Sequence, residues 1–178
     1  MATPSPITQA IERYLLMLQS EENKSPLTVK SYRESLALFQ ALSPLPRLED
    51  IAKATIRDFK QALHAFRTRR GRELTVRTKN HHLTVLRAFL RYLVQEEERD
   101  VYPPDRVRRF KEEPRKVKVL YREELERLLA APDTSRIEGK RDKAILELFF
   151  STGMRLMELR SLNRKDLNFR TREISVRG

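Results

Sequence analysis

Polar and basic side chains recur at steps of three and four residues between positions 77 and 91. On a helix this spacing places them on one face, opposite a stripe of leucines. Arginine binds phosphate or guanine, asparagine pairs with adenine, and threonine contacts phosphate or the thymine methyl group. The pattern therefore suits a helix laid against the major groove of DNA, and its members are Arg77, Asn80, Thr84, Arg87 and Arg91.

The alternative for this face is an ordinary solvated helix surface. Such a surface normally mixes Asp and Glu with its Arg and Lys. Here no acidic residue occurs from Val76 to Gln95. The missing acids favour nucleic-acid contact, and we expect His81 to join the face as a phosphate donor. His82 falls beside the leucine stripe, at the boundary of the core.

A second candidate surface lies at the start of an earlier helix, which opens at Ser25-Pro26. Serine caps a helix N-terminus, and proline is favoured at the first helical position. The free N–H groups and the helix dipole there attract phosphate. Capping alone also accounts for Ser25, and the two roles are compatible. The candidate set is Lys24, Ser25, Thr28, Lys30 and Arg33.

A third candidate is the segment STGMRLMELRSL, residues 151–162, in which Arg155 stands at the head of a helix. Spacing alone does not distinguish Arg155 from the many other arginines of the chain. The sequence has no Ser/His/Asp set and no glycine-rich phosphate loop. It has no cysteine, and its three histidines lack a further ligand at metal-site spacing, so we expect no metal and no cofactor.

The elements that position these residues are predicted to be mainly helical. Four amphipathic helices fill the first hundred residues, with apolar stripes that begin at Ile7, Val29, Ile56 and Leu83. Thr55 is expected to cap the third of these helices, and Gly71 to break the basic turn RTRRGR that follows it. The fourth helix is predicted to run from about Thr75 to Gln95.

Residues 99–119 contain three prolines and too few periodic apolar positions for a core element, which predicts a basic interdomain linker. Three short helices follow, the second of them ended by Gly153. Residues 173–176 alternate as a strand does. A single terminal strand needs a partner for its backbone groups, so we expect the second domain to be truncated.

The charge of the chain supports the same interpretation of the candidate faces. Its 178 residues carry 37 Lys and Arg against 25 Asp and Glu, a formal charge of +12. Such a balance favours a polyanionic partner, of which nucleic acid is the commonest, although it also serves solubility. We expect neither secretion nor membrane spanning, because no apolar run is long enough. The lack of cysteine fits a cytoplasmic location.

At this point the sequence resembles a known family. The run RDKAILELFFSTGMRLMELRSLNRKDLNFRTREISVRG looks like the opening of the catalytic domain in tyrosine recombinases, the phage-integrase family. The shared pattern is a helix, a Thr-Gly-Met-Arg turn, a Glu-Leu pair and an Asp-bearing turn before a β-hairpin. Upstream, SPLTVKSYRESLALF and TKNHHLTVLRAFLRYL are similar to the second and fourth helices of the core-binding domain in Xer-type members. The resemblance covers nearly the whole chain.

The resemblance implies a mainly α fold. It places a four-helix SAM-like core-binding domain at residues 1–98, the linker at 99–119 and the N-terminal part of an α+β catalytic domain at 120–178. Arg155 matches the arginine that binds the scissile phosphate and stabilises its charge, and Glu158 matches a supporting carboxylate. The implied reaction cuts and rejoins DNA through a 3′-phosphotyrosyl link, without metal or nucleotide cofactor. The implied partners are double-stranded DNA and other recombinase protomers, with no membrane.

Several catalytic groups of the family have no counterpart here. They are a hairpin lysine, a His-xx-Arg motif, a further His or Trp and a C-terminal tyrosine, whereas the five tyrosines of this chain all precede Arg155. We therefore expect this chain by itself not to cleave DNA. The alternative is a non-catalytic helical DNA-binding protein or a naturally shortened integrase relative. A helical protein-interaction module would leave the acid-free face unexplained.

Overall fold

The structure is a computed structural model that describes residues 5–114 and 119–176. The chain folds into two compact units, residues 1–114 and residues 115–178. It is mainly helical, as the sequence predicts, and its β structure in the described residues is one small two-stranded sheet. Among these residues, no helix is both long and apolar enough to cross a membrane.

The first unit contains four helices: α1 Pro6–Ser20, α2 Pro26–Leu42, α3 Lys53–Ala65 and α4 Val76–Gln95. Three of them begin at a Ser or Thr whose hydroxyl accepts a hydrogen bond from the backbone N–H three residues later. These N-caps are Ser5, Ser25 and Thr75, with N···O distances of 3.3, 3.2 and 3.2 Å. Each cap satisfies a backbone donor that the helix leaves free and fixes where the helix starts.

The start of α3 corrects one prediction from the sequence. Thr55 lies inside the first turn, and the helix begins at Lys53 with Ala52 as N-cap. The Thr55 hydroxyl accepts a hydrogen bond from the Ala52 N–H at 3.3 Å and donates one to the Asp50 carbonyl at 2.9 Å. Thr55, which lies in the first turn of α3, therefore connects this helix to the preceding residues Asp50 and Ala52.

The four helices enclose one apolar core in which aromatic rings meet. Phe39 of α2 and Phe59 of α3 are fully buried, and their rings pack edge to face with centroids 5.0 Å apart. Tyr14 of α1 lies 5.5 Å from the ring of Phe89 and 5.1 Å from that of Tyr92, both on α4. Burial raises the pKa of Tyr14 far above its ordinary value, so this tyrosine is a neutral core residue.

A bidentate ion pair joins α1 to the end of α4. Arg13 Nε and Nη2 donate to the two carboxylate oxygens of Glu97, each at 2.8 Å, and the Tyr92 hydroxyl donates to Glu97 at 3.0 Å. The hydrogen bond from Arg13, with that from Tyr92, holds the pKa of Glu97 below its ordinary value despite partial burial. Because the lowered pKa favours the charged form, this contact stabilises the fold at neutral pH.

Residues 99–114 differ from the predicted linker, because they pack on the first unit. Val101 and Val107 are buried in its core. The Tyr102 N–H donates to the Ile51 carbonyl at 2.8 Å, and Pro104–Arg106 forms a 3-10 turn. We name residues 101–112 the strap. Its few anchoring residues have no helical or strand period, so periodicity could not reveal that they are buried. Lys118 and the rest of the predicted linker's positions 115–118 lie outside the described residues.

The second unit contains three helices and a hairpin: α5 Arg122–Ala130, α6 Ile137–Thr152, α7 Leu156–Ser161, β1 Leu167–Asn168 and β2 Glu173–Ile174. Gly153 ends α6 with φ of 64°, as predicted. The strands are antiparallel, with Leu167 opposite Ile174. The alternating pattern predicted one strand here, and its pairing partner in the structure is β1.

Apolar side chains of the second unit remain largely open to solvent. Within residues 119–176, Met154 is the one apolar side chain that is buried. Exposed large apolar side chains include Phe150 on α6 and Leu156 on α7, at 59% and 67% exposure. The described part of this unit therefore has little buried apolar core and exposes several large apolar side chains.

Candidate nucleic-acid interface

The exposed face of α4 brings together four of the five predicted helix residues and His81. Arg77, His81, Thr84 and Arg91 are exposed, and Arg87 stands at the margin with a side chain that is 33% exposed. His81 Nε2 lies 3.0 Å from the hydroxyl of Ser31 on α2, which links the face to that helix. The Thr84 hydroxyl donates to the Asn80 carbonyl at 2.9 Å and keeps its acceptor capacity.

Asn80 is the exception and corrects the prediction of a base contact. It is 6% exposed, and its Oδ1 accepts a hydrogen bond from the Phe110 N–H at 2.7 Å. Its Nδ2 donates to the Phe110 carbonyl at 3.1 Å and to Glu112 at 3.4 Å. Both ends of the amide are thus occupied by the strap. Asn80 lies on the side of α4 that the strap covers. The sequence predicted a linker at these residues, so it gave no reason to expect that Asn80 is covered.

One carboxylate approaches the arginines of the α4 face. Asp105, in the 3-10 turn of the strap, places Oδ1 at 3.2 Å from Arg91 Nη2 and 3.6 Å from Arg87 Nη2. Its side chain is 79% exposed, so the two ion pairs are surface contacts in a high dielectric. Asp105 thus places one negative charge beside both guanidinium groups.

Most of the predicted residues at the start of α2 are already engaged by neighbouring side chains. Ser25 caps the helix, and its hydroxyl lies 2.9 Å from that of Thr28, which is half-buried. Lys24 pairs with Glu22 at 3.3 Å, and Arg33 pairs with Glu12 of α1. Lys30 is exposed and makes no ion pair within the described residues. Lys30 is therefore the cation of this set most available to a ligand.

The neighbouring residues His81 and His82 lie in different environments. His82 is half-buried, and burial, followed by the nearby His81, lowers its pKa. His82 is thus neutral at pH 7 and belongs to the core boundary, as expected. His81 faces outward and stays available as a donor.

The sequence reasoning missed a basic groove between α3 and the strap. An open concavity of about 1260 Å³ lies there, with cations on both walls. Lys60 of α3 stands 4.9 Å from the ring centroid of Phe110. Beside it Lys79 of α4 is buried, with Nζ 3.4 Å from His64 Nδ1. The basic lining residues are Lys53, Arg57, Lys60, His64, Arg106 and Arg108. Arg106 and Arg108 belong to the basic run of the predicted linker, but the α3 cations lie far from them in sequence, so no local pattern indicated the groove.

In the second unit, Arg155 and Glu158 form the contact that the resemblance implies. Arg155 Nη1 donates to Glu158 Oε1 at 2.8 Å, and the Arg155 backbone N–H donates to Oε2 at 2.7 Å. These bonds, the backbone one first, lower the pKa of Glu158. The Arg155 side chain is 86% exposed, whereas that of Glu158 is 16% exposed. The carboxylate therefore fixes a guanidinium that faces solvent at the head of α7.

No group of three or more His, Asp or Glu side chains that could hold a metal ion occurs within residues 5–114 and 119–176. The residues that the structure brings together are instead cations suited to phosphate. In the first unit these cations lie on the α4 face, at the start of α2 and in the basic groove. In the second unit the cation concerned is Arg155.

The first unit is a SAM-like helical domain: residues 11–97 match the family described as phage integrase, N-terminal SAM-like domain. Residues 118–178, which make up most of the second unit, match the family described as phage integrase family. The chain belongs to the phage integrase family, the tyrosine recombinases.

Curated relatives agree with this assignment. The chain is 33% identical over 168 residues to a protein named tyrosine recombinase XerC from Oceanobacillus iheyensis, covering 94% of this chain and 54% of that protein. Proteins of the same name from Bacillus subtilis and Xanthomonas campestris are 30% and 34% identical, with 54% and 51% of their lengths covered. The chain thus spans about half the length of the curated relatives it matches. No solved structure gives a significant match to the chain.

Proposed function

We propose that this chain binds duplex DNA as part of a site-specific tyrosine recombinase. The observation that carries the proposal is the outward face of α4, which presents Arg77, His81, Thr84 and Arg91 without an acidic residue of its own helix. Arginine and histidine donate to phosphates, and arginine also reads guanine in the major groove. Lys30 and the amino end of α2 would add phosphate contacts beside it.

The strap gives this interface a fixed edge. Asn80 bonds the strap through both ends of its amide, so the strap is held beside Arg87 and Arg91 before DNA arrives. Side chains that are ordered in advance lose less entropy on binding. In this proposal Asn80 fixes the strap against α4, and Arg87 and Arg91 contact the DNA.

Arg155 and Glu158 would serve the chemical step in the complete enzyme. There, a tyrosine hydroxyl attacks the scissile phosphodiester, a 3′-phosphotyrosyl bond forms and the 5′-hydroxyl leaves; the reverse attack by a 5′-hydroxyl rejoins a strand. Negative charge builds on the phosphate oxygens in this transfer, and a guanidinium held by a carboxylate presents a fixed pair of donors to them. This role needs no metal and no nucleotide.

The proposed assignment of the units follows from these roles. The core-binding part would extend to residue 114 instead of ending at residue 98, and the catalytic part would begin after it. Double-stranded DNA is the first partner, and other recombinase protomers would assemble on the same DNA sites. The proposed location is the cytoplasm, where a bacterial enzyme of this class would meet its DNA.

Replacing two arginines of the α4 face tests the proposal. Arg77→Ala with Arg91→Ala should weaken duplex binding by about 2 kcal/mol, roughly thirtyfold, when measured by fluorescence anisotropy. Arg47→Ala with Arg99→Ala removes the same charge from surface ion pairs outside the candidate surfaces and is the control. A folded Arg77/Arg91 variant that binds like the parent would mean that the face is only a solvated surface.

A further inference from the structure

The turn between α3 and α4 carries four arginines in residues 67–72, none of which belongs to the α4 face. It is a short hairpin in which Arg67 and Glu73 form an antiparallel bridge. The Thr68 N–H donates to the Arg72 carbonyl at 2.9 Å, and the Gly71 N–H donates to the Thr68 carbonyl at 2.8 Å. Gly71 has φ of 70°, a left-handed conformation that glycine adopts at little cost. The turn is therefore tightly specified. We name it the arginine hairpin.

One of the four arginines is used by the hairpin itself. Arg67 Nη2 donates to Glu73 Oε1 at 2.7 Å. The remaining three, Arg69, Arg70 and Arg72, are exposed, and they form no ion pair and no side-chain hydrogen bond within residues 5–114 and 119–176. Three adjacent cations repel one another, and a bound anion would relieve that repulsion.

The arginine hairpin leads directly into the helix that carries the DNA face. Thr75 caps α4, and Arg77, the first residue of the face, lies two positions later. A shallow concavity of about 480 Å³ is lined by these three arginines together with Thr75 and Thr78, and the one acid in its lining, Glu73, is paired with Arg67. Cations and hydroxyl groups around one hollow are the donors that phosphate oxygens accept from.

We propose that the arginine hairpin is a second phosphate-binding element, which grips the DNA backbone beyond the stretch that the α4 face contacts. The inference rests on the proposed function, because both elements would bind one duplex. Arginine binds phosphate with two parallel N–H···O bonds, and the fixed turn lowers the cost of ordering. Phosphate contacts position a protein without reading sequence, so the hairpin raises affinity for any duplex.

The test compares the salt dependence of binding for the full chain and for an Arg69→Ala, Arg70→Ala variant. Each neutralised phosphate contributes about 0.9 to the slope of log K against log salt, so the variant's slope should be shallower by about 1.8. Between about 50 and 200 mM KCl, the parent's advantage in affinity should therefore shrink about tenfold. Fluorescence anisotropy on a duplex of about 20 base pairs measures both.

Two further variants make the outcome specific. Arg69→Lys with Arg70→Lys keeps the charge and should keep most of the slope. If it loses as much slope as the alanine variant, damage to the turn explains the effect and the proposal is wrong. Arg47→Ala with Arg99→Ala, which removes the same charge outside every candidate surface, should change the slope less than the hairpin variant does. An equal change would mean that net charge acts instead of the hairpin.

The results also separate this inference from the function on which it rests. If the alanine hairpin variant keeps the parent's slope while Arg77→Ala with Arg91→Ala weakens binding, the hairpin has no such role and the α4 face stands. If the parent chain binds no duplex at all, both proposals fail.

Discussion

Asp105 is the residue at which a single substitution should strengthen DNA binding. Its carboxylate lies 3.2 Å from Arg91 and 3.6 Å from Arg87, the position that a DNA phosphate would occupy. A phosphate must therefore displace the carboxylate or share the two guanidinium groups with it. Asp105→Asn removes the negative charge, keeps nearly the same shape and should make binding tighter.

The magnitude follows from the geometry of the site. Two unit charges about 4 Å apart interact by about 1 kcal/mol in water, and exposed ion pairs contribute about 0.2–1 kcal/mol. Since the Asp105 side chain is 79% exposed, the lower dielectric of the interior does not apply. We expect a gain of about 1 kcal/mol, or about fivefold in Kd.

Anisotropy titration of a labelled duplex at about 100 mM salt measures this gain, because charges more than a Debye length of about 10 Å away are screened there. Asp100→Asn is the matched control, since this exposed acid contacts neither arginine. Urea unfolding should show that Asp105→Asn changes stability by less than about 1 kcal/mol. Equal or weaker binding by Asp105→Asn, or the same gain in the control, would refute the reasoning.

Three other predictions concern the fold and the chemistry. Asn80→Ala should lower the free energy of unfolding by about 2 kcal/mol, because it leaves part-buried backbone groups of Phe110 unpaired; urea titration with Thr84→Ala as control checks this. The stability that Glu97 contributes should be present above the ordinary carboxyl pKa and disappear as pH falls through its lowered folded pKa. Glu97→Gln should therefore cost about 1 kcal/mol at pH 7 and little near pH 3; an equal cost at both would contradict it. Finally, a nicked suicide substrate should yield no covalent protein–DNA adduct with this chain; an adduct on Tyr121 or any other resident tyrosine would overturn the claim.

Periodic elements were predictable from the sequence because their burial repeats along the chain. The leucine stripe of α4, the Ser25 and Thr75 caps and the Gly153 stop all follow local rules that hold in the structure. The family resemblance of the segment around Arg155 is also local, because the motif is continuous.

Contacts between distant segments were not predictable in the same way. The strap is anchored by apolar side chains with no regular spacing, so it resembled a linker, and Asn80 therefore seemed free to meet DNA. The pairing of β2 with β1 escaped periodicity for a different reason, because β1 is two residues long and too short for an alternating pattern to show. The Asn168 side chain accepts from the N–H groups of Arg170 and Thr171 in the turn between the two strands.

The salt dependence of duplex binding tests the central claim most directly. If the α4 face, the amino end of α2 and the arginine hairpin together neutralise about six phosphates, log K for the full chain should fall with log salt at a slope near −5. The slope should be the same for unrelated duplex sequences when phosphates carry most of the affinity. A slope near zero, or no binding at about 50 mM salt, would contradict the account.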